Sequence, residues 1–408
     1  MKHPSLRRLL QVGAAALACL CLLFAGHKAL RLWQLQTLFA PERIVENFRS
    51  LPALFDFHDI HRSGPVLPLA AAPQALPSGF EFQGQRVVLN EWLERTGTTG
   101  LLVLADDQVA YEDYFQGNSA ETQVISWSVG KSFVSALVGM ALADGSIRSL
   151  RDPVSDYAPV LKGSGYEGVA LQDVLEMASG IDFSEDYADP EAGINQLGRT
   201  IALGRSTDDW IAQLQRDQPA GRKHDYLSVD TQVLGMVLKG ATGKSLTEYM
   251  QEKLWSRLGV EGDGRWLTDA QGMELAFGGL NLRLRDYARF GLLYLHGGSN
   301  LAGEQLLPEQ WVEDSVRPRQ AYLQPGRFQE EGQPNLGYGY QWWIPQSEEG
   351  EFMAIGVYGQ FIYVNPARQV VIAKSSAYAD YHHDGTRMEY ESLAAFRAIA
   401  RQVAGREG

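Results

Sequence analysis

The chain has 408 residues, 45% hydrophobic and 10% aromatic, which is enough apolar surface for a large core and too much for a disordered chain. The formal net charge is −13, and the first 33 residues carry five basic side chains and no acid, so the remainder is more acidic still. A body of that sign repels nucleic acid and no basic stripe relieves it, so no nucleic-acid partner is expected.

From the N-terminus, Lys2, Arg7 and Arg8 precede a run from Leu9 to Gly26 that is apolar except for Gln11. That length suits a bilayer span, and no good Ala-x-Ala cleavage site follows it. Residues 1–33 are therefore expected to form an uncleaved transmembrane anchor, single-pass in the inner membrane, with the body on the periplasmic side. A cleaved signal segment is the other reading. Both cysteines, Cys19 and Cys21, lie in this run, so the body can form no internal disulfide and no cysteine metal cluster. Residues 34–79 read as a connector: an amphipathic approach to about residue 61, then a stretch punctuated by Pro65, Pro68, Pro73 and Pro77. His58, His61 and His382-His383-Asp384 match no zinc spacing, and neither metal nor cofactor is expected.

A helix is expected near Asn90–Arg95, then a hairpin whose strands Gly100–Ala105 and Val109–Phe115 flank the turn-forming pair Asp106-Asp107. Next comes Ile125-Ser-Trp-Ser128-Val-Gly-Lys131-Ser-Phe133, opening an apolar helix that Gly145 can stop. A lysine three residues after a serine lies on the same helical face, and a serine needs such a base to become a nucleophile near neutral pH. Free N–H groups at a helix start favour a developing oxyanion. An ordinary helix start capped by Ser126 or Ser128 would read the same way, so the motif needs company.

Residues 146 to 335 show mainly helical patterns and loops. Within them His224-Asp-Tyr226-Leu-Ser228 precedes an apolar helical run, a placement that can deliver a phenol into a cleft. Thr242-Gly-Lys-Ser245 imitates the tail of a phosphate-binding loop, but Leu238 occupies the place of its first glycine. No Gly-x-Ser-x-Gly elbow exists in the chain. The β-rich runs Gln360–Val364 and Val370–Ser375 and the helix Glu389–Val403 close it. Ala354-Ile-Gly356-Val357-Tyr358-Gly359 leads into the first of these runs, and glycine at a strand start permits close approach of backbone to a ligand. Strands at both ends with a helical insertion predict one antiparallel sheet built from the two termini, beside an all-helical lobe at about 146–335. The cleft between them is the natural site.

Ser-x-x-Lys, then Tyr-x-Ser, then a glycine-containing strand, in this order, resembles the penicillin-recognising serine hydrolases related to class C β-lactamases. Within that group the chain is most similar to the esterase and 6-aminohexanoate-dimer hydrolase branch. Leu171–Gly180, Phe277–Gly298 and Gly337–Trp343 carry the resemblance further, and it covers roughly residues 80–405. It implies an α/β (α+β) fold of β-lactamase/transpeptidase type. It also implies Ser128 as the acylated nucleophile and Lys131 as its activator. Tyr226 would be base toward Ser128 and acid toward the leaving group, and the amides of Ser128 and Val357 would form the oxyanion hole. Ser228, Gly356, Tyr358 and, in the loop where this branch has a second tyrosine, Tyr187 would contact substrate.

Two departures stand out. Ser228 replaces the asparagine usual in Tyr-x-Asn. Ala354 replaces the lysine of Lys-Thr-Gly, removing a cation that helps bind a β-lactam carboxylate. The expected activity is acyl-enzyme hydrolysis of small esters or linear amides. A peptidase or transpeptidase acting on peptidoglycan peptides and a non-catalytic scaffold on the same fold are the competing readings, and retention of Ser128, Lys131 and Tyr226 argues against the scaffold.

Overall fold

The computed structural model describes residues 37–404, together with Ala18, Cys19, Gly26, Leu30 and Trp33. A seven-stranded sheet runs in the order Gly337–Tyr338, Trp343–Ile344, Phe352–Gly356, Gln360–Asn365, Val370–Ser376, Thr98–Ala105, Gln108–Tyr114. All its pairings are antiparallel. The two ends of the chain meet within it, one strand in from the Gln108–Tyr114 edge, where Ile372 faces Val103. The turn of the first hairpin is the expected one: Asp106 and Asp107 both have positive φ, at 47° and 64°, which matches the twist of the flanking strands.

The central strands are buried along their whole length because helices cover both faces. On one face, Trp92 of the helix Leu89–Arg95 and Phe396 of the helix Tyr381–Val403 pack with Leu101, Val103 and Tyr363. On the other lies the helix Leu284–Leu295, where Gly291 lets the backbone close on Val371; a Cβ there would sit 2.6 Å from its Cγ1. The lobe beyond is helical, with Gly130–Ala143 and Ser228–Thr242 packed together and Val154–Tyr157 and Leu171–Leu175 against the latter.

The expectation of an all-helical lobe over 146–335 needs correction. Gly264–Leu267 and Leu280–Arg283 are strands, and they join Phe57–Ile60 and Gln123–Ile125 in a second, four-stranded antiparallel sheet. Each is four residues long and almost wholly buried, so neither shows the alternation that marks a strand in sequence. The helix Leu284–Leu295 that follows belongs to the large sheet. Part of the stretch read as a connector also packs into the body. Leu38, Phe48 and Leu51 are buried, Ile44–Ser50 is a helix, and Phe57 pairs with Leu267.

The false phosphate motif is a helix boundary. Gly243 ends one helix at φ 67°, and Ser245 caps the next in a reciprocal box with Glu248. His58 Nδ1 sits 2.9 Å from Glu274 Oε1, and His61 Nδ1 3.4 Å from Asp263 Oδ2. The apolar run Leu9–Gly26 falls almost entirely outside the described residues; among the described ones, no helix is long and apolar enough to cross a membrane.

Candidate active site

The chain leaves the strand Gln123–Ile125 and turns sharply. Trp127 takes a positive φ of 42°, a strained conformation for a bulky residue. A single turn, Trp127–Val129, then leads into the helix Gly130–Ala143. Ser128 therefore stands at the helix start, on the cleft between lobe and sheet. One turn on, Lys131 is 1% exposed. Its Nζ lies 2.9 Å from Ser128 Oγ, 3.0 Å from Ser228 Oγ and 2.7 Å from the carbonyl oxygen of Phe277. No ion pair neutralises it among the described residues. Burial lowers its pKa from the usual lysine range to about 7, with the charge of Glu185 pulling the other way.

Tyr226 precedes the helix Ser228–Thr242. Its ring stacks on Trp343 at 5.2 Å and meets Tyr338 edge-on, while its hydroxyl shares a hydrogen bond with Ser128. Burial pushes the phenol pKa well up, so the hydroxyl keeps its proton at neutral pH. The Ser228 backbone N–H donates to Glu185 Oε1. Glu185 is a buried carboxyl whose pKa burial raises and the Lys131 charge lowers. Nothing in the sequence singled it out. Its one signal is its place two residues before Tyr187.

The third side is the end of the strand Phe352–Gly356. A Cβ on Gly356 would lie 2.6 Å from Ser126 O and 3.1 Å from Ser128 N, so only glycine lets the strand come this close. Val357 follows immediately and lines the same cavity as Ser128. Tyr358 and Gly359 turn the chain with φ of 63° and 88°. Tyr358 Oη lies 2.9 Å from His382 Nε2, and the His382 ring lies 6.0 Å from that of Tyr187. The structure thus brings Lys131, Tyr226 and Gly356 beside Ser128, with Tyr187, Ser228, Val357 and Tyr358 lining one cavity with it. Ala354 is buried opposite Ile362 and supplies no charge. Burial and then His383 lower the pKa of His382, which disfavours a cation there.

A serine with a buried lysine one turn on, a tyrosine opposite and a glycine strand end beside it, in a cleft between sheet and helical lobe, is the arrangement of the penicillin-recognising serine hydrolases. The chain belongs to the Beta-lactamase family, matched over residues 93–395, and is a serine hydrolase. It is 30% identical over 325 residues, 78% of this chain and 79% of the relative, to the 6-aminohexanoate-dimer hydrolase of Paenarthrobacter ureafaciens. Its fold is similar to that of a Bacillus anthracis protein named as a 6-aminohexanoate-dimer hydrolase. There the TM-score is 0.80 at 24% identity, covering 91% of this chain and 97% of that one. The hydrolase EstCE1, described as having promiscuous acyltransferase activity, gives a TM-score of 0.62 at 17% identity over 76% of this chain and 96% of its own.

Proposed function

We propose that the protein hydrolyses small esters or linear amides through an acyl-enzyme on Ser128. One observation carries this: a buried lysine with pKa about 7, its Nζ 2.9 Å from the serine oxygen. A neutral amine has two N–H donors and one lone pair. With one N–H on the Phe277 carbonyl and the other on Ser228 Oγ, the lone pair is left for the Ser128 proton. Lys131 is then the base in acylation. Tyr226, whose raised pKa keeps it protonated, donates toward the departing oxygen or nitrogen. The carbonyl oxygen, turning negative as Oγ attacks, is received by the N–H groups of Ser128 and Val357. Water then attacks the acyl carbonyl and gives its proton to Tyr226, while Lys131 returns to Ser128 Oγ the proton it took, so that the acid leaves and both groups are restored.

The name of the 30%-identical relative supports a linear amide among the substrates. Incubation with a fluorophosphonate probe tests the nucleophile: the intact mass of wild type should rise by one adduct, and that of Ser128→Ala should not. Ser126→Ala and Ser132→Ala, which have no lysine three residues on, should label normally. Labelling of Ser128→Ala at the wild-type rate would sink the assignment.

The apolar run after Lys2, Arg7 and Arg8 supports an anchored protein with its catalytic body outside the cytoplasm. Full-length protein should sediment with membranes and resist extraction by high salt; recovery in the soluble fraction would refute the anchor.

A further inference from the structure

The cavity bounded by Ser128 has a volume of about 580 Å³, within the range that holds a small organic ligand. Among the described residues, no Asp, Glu or Lys lines it. Its charged residue is Arg199, whose guanidinium already bonds the Pro190 carbonyl oxygen and lies 3.6 Å from Glu191. Glu185 is turned to the Ser228 amide and does not line it. Part of its wall comes from well outside the family match: Leu38, Phe39, Leu51 and Phe55 precede residue 93.

The arm carrying these residues is fixed. Asn47, buried in the helix Ile44–Ser50, donates through Nδ2 to the carbonyl oxygens of Thr37 and Leu38, both at 2.9 Å. Phe39 is thereby held at the rim, still 40% exposed. Its ring stacks on Tyr358 at 5.1 Å and lies 5.9 Å from Trp127. Those two residues adjoin Val357 and Ser128, so the arm's phenylalanine borders both sides of the oxyanion position.

Resting on the acyl-enzyme reading above, we propose that this cavity takes the acyl half of the substrate as an uncharged hydrocarbon chain. Phe39, from the N-terminal arm, is the residue that sets acyl-chain preference. An acyl group ending in an ammonium, such as a 6-aminohexanoyl unit, would leave its charge among mostly apolar walls, with neutral partners such as Asn195 and Tyr187 and with Arg199 as the charged neighbour, and burying a charge without a counter-charge is costly. A chain of methylenes gains instead, at about fourfold in binding for each one buried.

The test uses the full-length enzyme and p-nitrophenyl esters of acetate, butyrate, hexanoate and 6-aminohexanoate, with fluorophosphonate labelling of Ser128 run alongside. From acetate to hexanoate, kcat/KM should rise about three- to fourfold per methylene. The 6-aminohexanoate ester should fall at least about tenfold below hexanoate. Phe39→Ala should cut the hexanoate-to-acetate ratio about tenfold, and Phe39→Leu should keep most of it; matched thermal melts show that each variant is folded. A flat chain-length series on enzyme whose Ser128 labels would overturn the inference and leave the nucleophile standing. A faster 6-aminohexanoate ester would overturn it too, and would mean that the second oxygen of Glu185 receives the ammonium. An unchanged ratio in Phe39→Ala would remove Phe39 from the role. Failure to label at Ser128 would bring down the acyl-enzyme reading itself.

Discussion

At the scale of single residues, the proposed acyl transfer turns on the proton balance between Lys131, Tyr226 and Glu185. Lys131 accepts a proton only when neutral, so kcat/KM should fall on the acidic side with an apparent pKa near the value of about 7 that burial gives it. Glu185 acts against that burial by favouring the ammonium. Glu185→Gln removes the charge while its amide oxygen can still accept from the Ser228 N–H. The acidic limb should therefore move to lower pH, which a pH–rate profile of wild type and variant would show. A limb displaced to higher pH would mean that Glu185 does not act on Lys131 through charge. Tyr226 contributes no acidic limb, because burial raises its pKa and keeps it protonated throughout this range.

At the scale of elements, the strand end at Gly356 is the part that tolerates least. Gly356→Ala would place a Cβ 2.6 Å from the Ser126 carbonyl oxygen, so either the strand or the Ser126–Ser128 turn must move. Moving either separates the Ser128 and Val357 amides proposed to receive the oxyanion. Loss of one such donor costs about a hundred- to a thousandfold in kcat, and a drop of about that size is expected with the protein still folded by circular dichroism. Near-wild-type kcat would place the oxyanion elsewhere. The sequence announces some of these elements and conceals others for physical reasons. The hairpin around Asp106-Asp107 and the helix after Ser128 are local objects, shaped by turn chemistry and by periodicity within one segment. The strand Phe57–Ile60 has its partner at Gly264–Leu267, more than two hundred residues away, so the same residues read as connector until the partner is in place. Glu185 looks like a solvated loop carboxylate in sequence, and only the folded chain sets it on the Ser228 amide.

At the scale of the whole molecule, the charge distribution predicts poor turnover of β-lactam antibiotics. A β-lactam presents a carboxylate, and a charge-assisted hydrogen bond from a fixed cation is the strong way to hold it. Where the resemblance expects a lysine, the strand carries buried Ala354, and the stretch Met353–Gln360 contains no Lys or Arg. His382 stands near on Tyr358, yet its depressed pKa leaves it neutral at pH 7. The chain's net charge of −13 adds a long-range field that repels a small anion. Loss of one charge-assisted bond is worth about 1.5–3 kcal/mol, or roughly ten- to a hundredfold. On one preparation, kcat/KM for p-nitrophenyl butyrate should accordingly exceed that for nitrocefin by at least about that factor. Raising ionic strength should narrow the gap by screening the field, and should leave the neutral ester almost unaffected. A nitrocefin value equal to the ester value, with no dependence on salt, would show that a cation at neither position 354 nor position 382 receives the carboxylate.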